Sequence, residues 1–143
     1  EMLRSLVGSE MCIRDSTNMG LESGEVPYTT FMMRKDTIEN EPGFAAAFVR
    51  AIYRAQKWVW AAGDEEVAYA MQSYFPDTDI ATLSAVAKSY RATDSWTKVP
   101  TMTEDAFTRL QDILDGAGEL AARIELSELV DNSFGEAAIS EIG

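Results

Sequence analysis

The chain has 143 residues, a formal net charge of −12 at pH 7, no histidine and a single cysteine. An acidic surface without a basic stripe repels phosphate groups, which disfavours binding to nucleic acid and to an anionic membrane surface. Without imidazole bases or paired cysteines, we expect no disulfide, no metal site, no cofactor and no catalytic residue.

The first predicted feature is a foreign N-terminal segment at residues 1–16. Its run SLVGSEMCIRDS (residues 5–16) follows neither a helical nor a strand period, and it contains Cys12. The run resembles a translated sequencing adapter, so we expect the native sequence to begin near Thr17 without its own N-terminal part or export signal. A disordered native N-terminus is the alternative, although such tails are usually richer in Pro, Ser, Glu and Lys.

A short strand is predicted at about residues 26–35, because Val26–Lys35 is rich in β-branched and aromatic residues and is entered through Pro27. One strand leaves both of its edges unpaired, so its partners are expected from a missing part of the protein or from another chain. The segment RIEL (residues 123–126) is a second candidate for an extended piece, since apolar and charged residues alternate there.

A long helix is predicted between Pro42, which suits a first turn, and Gly63, which suits a helix end. Its apolar residues recur at intervals of three and four, which predicts one buried stripe. That stripe consists of Phe44, Phe48, Ile52, Ala55 and Val59. Trp58 and Trp60 fall on different faces of this helix and are assigned to packing, not to a binding site.

Four shorter helices are predicted after the long one. Three of them are expected to begin near Asp64, Asp79 and Thr103, where a capping residue or acidic residues suit the first turn. Ser133 and Glu136 have the spacing of a capping box, which predicts a last short helix. One strand followed by helices is an incomplete fold.

Five segments are specific in their combined order, although none is diagnostic alone. In chain order they are VPYTTFMMRKDTIENEPGFAAAFVRAIYRAQKWV, YFPDTD, SYRATDSW, MTEDAFTRLQDILDGAGEL and LVDNSF. This order resembles the C-terminal part of ABC-transporter substrate-binding proteins, in the branch for nitrate, sulfonates, taurine and the thiamine pyrimidine precursor. The resemblance spans nearly all of residues 20–140.

The resemblance implies an α/β fold, namely the C-terminal part of a type 2 periplasmic-binding-protein fold, in which two lobes close on a ligand through a hinge. Residues 17–143 are then the C-terminal portion of a two-lobed solute-binding protein, mostly α-helical with one or two short strands. The strand at about 26–35 would return towards the first lobe, and the helices from about Asn40 onward would cover that lobe.

The resemblance also implies a function, that of the extracytoplasmic solute-binding component of an ABC importer, which is not an enzyme. The expected partners are a small solute and the importer's permease, and the complete protein is expected to be a monomer. Its expected location is the periplasm or the extracellular face of the cytoplasmic membrane, with membrane attachment only through the permease or a lipid anchor.

Two alternative functions stay open. The first is an enzyme on the same scaffold, similar to thiamine pyrimidine-precursor synthases, which rely on an active-site histidine and a cysteine-containing iron-binding motif. Residues 17–143 contain neither His nor Cys. A missing segment would be able to supply both groups, so their absence here argues only weakly against an enzyme. The second alternative is a stand-alone helical interaction module.

Tyr28, Tyr90 and Trp96 are the candidate ligand-binding residues. Tyr28 lies at the expected hinge, where it either faces the ligand or fills the core between the lobes. Tyr90 and Trp96 flank a polar loop, where an indole offers a flat apolar face and one N–H donor; packing against helix ends is the alternative. Arg123 is expected to be solvated or paired with a local Glu.

Overall fold

The computed structural model describes residues 24–143, and this part of the chain contains seven helices joined by irregular segments. In chain order they are α1 (Lys35–Asn40), α2 (Pro42–Ala61), α3 (Asp64–Gln72), α4 (Ile80–Ala92), α5 (Glu104–Gly116), α6 (Leu126–Leu129) and α7 (Ser133–Ile142). No strand occurs among these described residues. The expected α/β class, the C-terminal part of a type 2 periplasmic-binding-protein fold, is therefore wrong for residues 24–143, which are helical. The predicted foreign segment at residues 1–16 lies outside the described residues.

The predicted strand at Val26–Lys35 is also wrong. The chain is irregular up to Arg34, and Lys35 is already the first residue of α1. The N–H groups of Thr37 and Ile38 both donate to the Arg34 carbonyl oxygen at 3.1 Å, so the end of the segment starts a helical turn. The β-branched and aromatic composition was misleading because a strand needs a neighbouring strand, and none lies in the described part of the chain.

The second predicted extended piece, RIEL at residues 123–126, pairs with a side chain instead of a strand. The Ile124 N–H donates to Gln111 Oε1 at 2.9 Å, and Gln111 Nε2 donates to the Ile124 carbonyl oxygen at 3.1 Å. Asn132 holds Met102 in the same way, with distances of 3.0 and 2.8 Å. Each amide supplies one donor and one acceptor to an extended residue, which removes the need for a β-ladder.

Helices α3 and α4 pack against each other over a small apolar core. Val67 and Ala68 of α3 are buried together with Leu83 and Ala87 of α4. Helix α4 begins after Asp79, as predicted, and the Thr82 N–H donates to Asp79 Oδ1 at 2.9 Å. Asp64, which the sequence suggests as the cap of α3, is instead the first residue of that helix, and no side chain caps it.

Helix α5 begins after Thr103, as predicted, and the Ala106 N–H donates to Thr103 Oγ1 at 3.2 Å, which caps the helix. The predicted last helix is α7, but its first turn differs from a capping box. Ser133 is already helical, and its N–H donates to Asp131 Oδ1, outside the helix, at 2.9 Å. The existence of both helices was correctly predicted, and the cap of α7 was not.

Helix α7 packs along α2 and covers one of its faces. The buried residues of these two helices are Ala45 and Tyr53 of α2 and Gly135 and Ala138 of α7, of which Gly135 lies against Pro100 and Thr101. The predicted buried stripe of α2 is therefore wrong. Its first member, Phe44, is 54% exposed, Ala55 is exposed, and the other three members are only partly buried. The face that α7 covers lies beside that stripe.

Candidate functional site

The loop after α4 folds back along the C-terminal half of α2. It begins where Asp94 adopts a left-handed backbone conformation with φ of 52°, which Asp tolerates better than most residues. The Ser95 N–H donates to the Tyr90 carbonyl oxygen at 2.9 Å and so satisfies the end of α4. Further along, Gln56 Nε2 of α2 donates to the Val99 carbonyl oxygen at 3.5 Å. These bonds hold the loop against α2.

Two of the predicted site residues contact each other here, namely Tyr90 near the end of α4 and Trp96 in the loop. The rings of Tyr90 and Trp96 contact each other edge to face, with centroids 5.2 Å apart and an interplanar angle of 65°. The indole N–H of Trp60 in α2 donates to the Trp96 carbonyl oxygen at 3.1 Å. Since that bond uses the single donor of the Trp60 ring, the ring can offer a ligand only apolar contact and its π-face.

A groove with a cavity volume of about 380 Å³ lies beside Trp60. We call it the lysine–tryptophan groove; its lining residues are Lys57, Trp60, Ala61 and Lys98. Lys98 Nζ lies over the Trp60 ring, 4.5 Å from the ring centroid, which is a cation–π contact. The same ammonium is 3.4 Å from Asp94 Oδ1.

Lys57 supplies the second ammonium group of the groove. Its Nζ donates to the main-chain oxygens of Ile142 and Gly143, each at 3.2 Å, and lies 5.8 Å from the centroid of the Tyr53 ring. An ammonium has three N–H donors, so two are used within the protein and one is left for a ligand. The groove thus carries two ammonium groups, of which Lys98 is paired with Asp94 and Lys57 keeps one free donor.

The wall of the groove is held in place by Arg91, near the end of α4. Arg91 Nη1 forms an ion pair with Asp64 Oδ1 at 2.6 Å. Its Nη2 donates to the carbonyl oxygens of Val59 and Ala62, both at 2.6 Å. The cation thus meets the negative C-terminal end of α2 while Asp64 stands at the positive N-terminal end of α3, and both arrangements are electrostatically favourable. Since Val59 and Ala62 bracket Trp60 and Ala61 in sequence, this network fixes the groove.

Tyr28, the third predicted site residue, is not part of this arrangement. Its side chain is 98% exposed in the irregular segment before α1, and no ring contact joins it to Tyr90 or Trp96 among the described residues. Its position therefore matches neither the ligand-facing nor the core-filling role within residues 24–143.

Arg123 pairs with aspartates of α5, and not with a glutamate as expected. Its guanidinium lies 2.7 Å from Asp112 Oδ1 and 3.1 Å from Asp115 Oδ2. The hydrogen bonds to Asp112 and then to Asp115 raise the pKa of Arg123 above its usual value. Both aspartates belong to α5, so Arg123 is held at the surface of that helix.

Three residues of the groove were missed or misassigned from the sequence. Lys57 and Trp60 are three residues apart on a predicted helix, which places them on one face, and this spacing was the available signal. Trp60 was assigned to packing, and its hydrogen bond to the Trp96 carbonyl oxygen does help to hold the loop against α2. Lys98 had no comparable signal, because it reaches Trp60 only through the fold of the loop.

The described residues hold neither of two further features that bear on function. Within residues 24–143 no group of three or more His, Cys, Asp or Glu side chains is placed to hold a metal ion. In the same range, no helix combines the length and the apolar character needed to cross a membrane.

Comparison with known proteins gives one informative similarity. No family model and no solved structure matches the chain. The chain is 35% identical over 124 residues to a protein of Bacillus subtilis (strain 168) that is named "Putative binding protein YtlA". The alignment covers 87% of this chain and 37% of the relative, so the chain spans little more than a third of the relative's length. This similarity supports a binding function in general terms.

Proposed function

We propose that the chain is part of the extracytoplasmic solute-binding component of an ABC importer. In this proposal the complete protein captures a small solute of the nitrate, sulfonate and taurine or thiamine pyrimidine-precursor class between two lobes. Closure of the lobes on the solute shifts the protein to the form that the permease accepts. The observation that carries the proposal is the 35% identity to a protein named as a binding protein.

The lysine–tryptophan groove supports a small anionic solute. The ammonium groups of Lys57 and Lys98 attract an anion, and the Trp60 ring offers apolar contact to a short carbon chain or a flat ring. A sulfonate such as taurine combines an anionic group with a short apolar stem.

The remaining parts of the proposal concern partners and location. The solute is released unchanged, so the role is binding and not catalysis. The importer's permease is the proposed protein partner, and the proposed location is the periplasm or the outer face of the cytoplasmic membrane. Lys57 and Lys98 are exposed, so the groove is accessible from solution, as capture of a dilute solute requires.

The test is a titration of the 143-residue chain with taurine, methanesulfonate, nitrate and the aminopyrimidine alcohol of the thiamine pathway. Trp60 and Trp96 lie at or beside the groove, so saturable quenching of tryptophan fluorescence is the expected signal. The replacement Lys57→Gln is expected to weaken binding about threefold, since solvent screens an exposed charge. Lys88→Gln, which changes an exposed lysine of α4 outside the groove, is the matched control. If none of the four solutes causes saturable quenching at millimolar concentration, the groove does not bind this class.

A stand-alone helical interaction module is the second candidate, and the helical character of residues 24–143 favours it. Such a module would bind none of the four solutes and would unfold in one cooperative transition as a monomer. Solute binding that depends on Lys57 would exclude it.

A further inference from the structure

Helix α2 has apolar residues on two sides, and the described chain covers only one of them. Ala45 and Tyr53 are buried under α7. The neighbouring stripe includes Phe44 and Phe48, and Phe44 remains 54% exposed. A helix with apolar residues on several sides is typical of the interior of a larger protein, because each apolar side needs a cover.

Residues before α1 extend this uncovered stripe into a larger surface. The rings of Phe31 and Phe48 contact each other edge to face at 5.2 Å, and those of Phe44 and Phe48 lie 6.5 Å apart. Phe31 is 73% exposed, and its neighbour Met32 is 91% exposed. We call Phe31, Phe44 and Phe48 the phenylalanine face. Contiguous exposed aromatic groups of this kind mark surfaces that bind another surface.

We infer that the phenylalanine face packs against the part of the longer protein that has no counterpart in this chain. The relative is far longer, since this chain spans 37% of it, so a large body of protein is available as the cover. A second copy of the chain is a poorer occupant, because docking would bring together two surfaces that each belong to a chain of net charge −12. Near the face, Arg34 is paired with Asp36 at 2.7 Å, so this pair adds no net charge.

The inference depends on the length of the relative and not on any ligand, so it stands or falls separately from the proposed function. A chain that binds no solute can still dock through the phenylalanine face. A chain that binds taurine can equally leave this face in solvent.

The first experiment uses the 143-residue chain itself. The uncharged dye Nile red, which fluoresces at exposed apolar surfaces, is expected to bind the monomer, and Phe44→Glu is expected to remove at least half of the signal. Tyr74→Glu is the matched control, because Tyr74 is 81% exposed but lies after α3 and outside the face. Light scattering after gel filtration measures the oligomeric state. A dimer that Phe44→Glu dissociates would assign the face to a second copy and overturn the inference. A chain starting at Gly24 that binds more dye would assign the face to residues 1–23, with the same consequence.

The second experiment places the chain in a longer protein. Residues 17–143 replace the matching segment of the Bacillus subtilis relative, and the unmodified relative is the folding control. Phe44→Glu is expected to lower the midpoint of thermal unfolding of this chimera by about 5 °C or more, because it buries a charge, whereas Tyr74→Glu leaves it unchanged. The backbone amides of α2 are expected to exchange hydrogen more slowly in the chimera than in the 143-residue chain. Equal exchange in both proteins, no effect of Phe44→Glu, or an insoluble chimera beside a soluble relative would each contradict the inference.

Discussion

The two apolar sides of α2 differ in what covers them and not in their composition. On one side Tyr53 is buried under α7, and the ion pair between Arg50 and Glu141 at 3.2 Å closes the rim. On the other side the Phe48 ring lies beside those of Phe44 and Phe31, and these side chains stay partly in solvent. A periodic apolar stripe therefore predicts that a helix has a face to bury, and the arrangement of the other helices selects the face that is buried.

The largest expected effect tests this comparison directly. Replacing Tyr53 by Ala removes a buried ring from under α7 and is expected to lower the free energy of unfolding by about 3 kcal/mol. Phe44→Ala removes a ring of similar size from the uncovered side and is expected to cost about 1 kcal/mol or less. Urea denaturation of both variants measures the difference. Equal losses would show that the two sides are equally buried in solution.

The second prediction concerns how closely α7 approaches the loop that precedes α5. A Cβ atom at Gly135 would overlap the carbonyl oxygen of Pro100 and crowd the Thr101 methyl group. Gly135→Ala is therefore expected to lower the free energy of unfolding by about 1–3 kcal/mol. Gly43→Ala, in the first turn of α2 with open space around it, is the control and is expected to be neutral or slightly stabilising. A neutral Gly135→Ala would mean that α7 is not seated on this loop.

A smaller effect is expected from the side-chain amide that anchors the same loop. Asn132→Ala leaves the N–H and carbonyl of Met102 without their partner, which is expected to cost about 1–2 kcal/mol in thermal or chemical unfolding. Asn40→Ala is the matched control on the uncovered side of the molecule. Its amide donates to the Asp36 carbonyl oxygen at an exposed position, so water can replace it. Similar losses for the two variants would remove the distinction between the two regions.

The smallest effect is expected at α4, far along the chain from the two faces of α2. Hydrogen bonds from the Thr82 backbone N–H and then its hydroxyl hold the pKa of Asp79 below its ordinary value of 3.8. Because the folded-state pKa is depressed, this cap stabilises the fold fully above the ordinary value, and the contribution is lost as pH falls through the folded-state pKa. Asp79→Asn keeps an acceptor without the titration, so its unfolding free energy is expected to fall less steeply with acid. Identical acid dependence in both proteins would contradict the assignment of this cap.

The helices were the most predictable part of the molecule. The long helix ending before Gly63, the starts of helices at Asp79 and Thr103, and a last helix near Ser133 all follow from short-range patterns. Apolar spacing and capping hydrogen bonds act within one or two turns, so the neighbouring sequence contains the necessary information.

Apart from the cap of α7, the incorrect predictions depend on partners distant in sequence. The strand at Val26–Lys35 needed a second strand, and none lies within residues 24–143. The extended residue Ile124 found a side-chain amide of α5 as its partner. Of the candidate site residues, Tyr90 and Trp96 contact each other across a short loop, but the bond from Trp60 to Trp96 spans 36 residues of sequence.

The sequence by itself determined where the helices of the described chain form and how several of them begin, because those choices depend on hydrogen bonds and apolar spacing within a few residues. Only the tertiary structure decided which side of α2 is buried and which two lysines share a groove with Trp60. Burial and the approach of two charges depend on the positions of separate helices, and those positions result from all the contacts in the fold together.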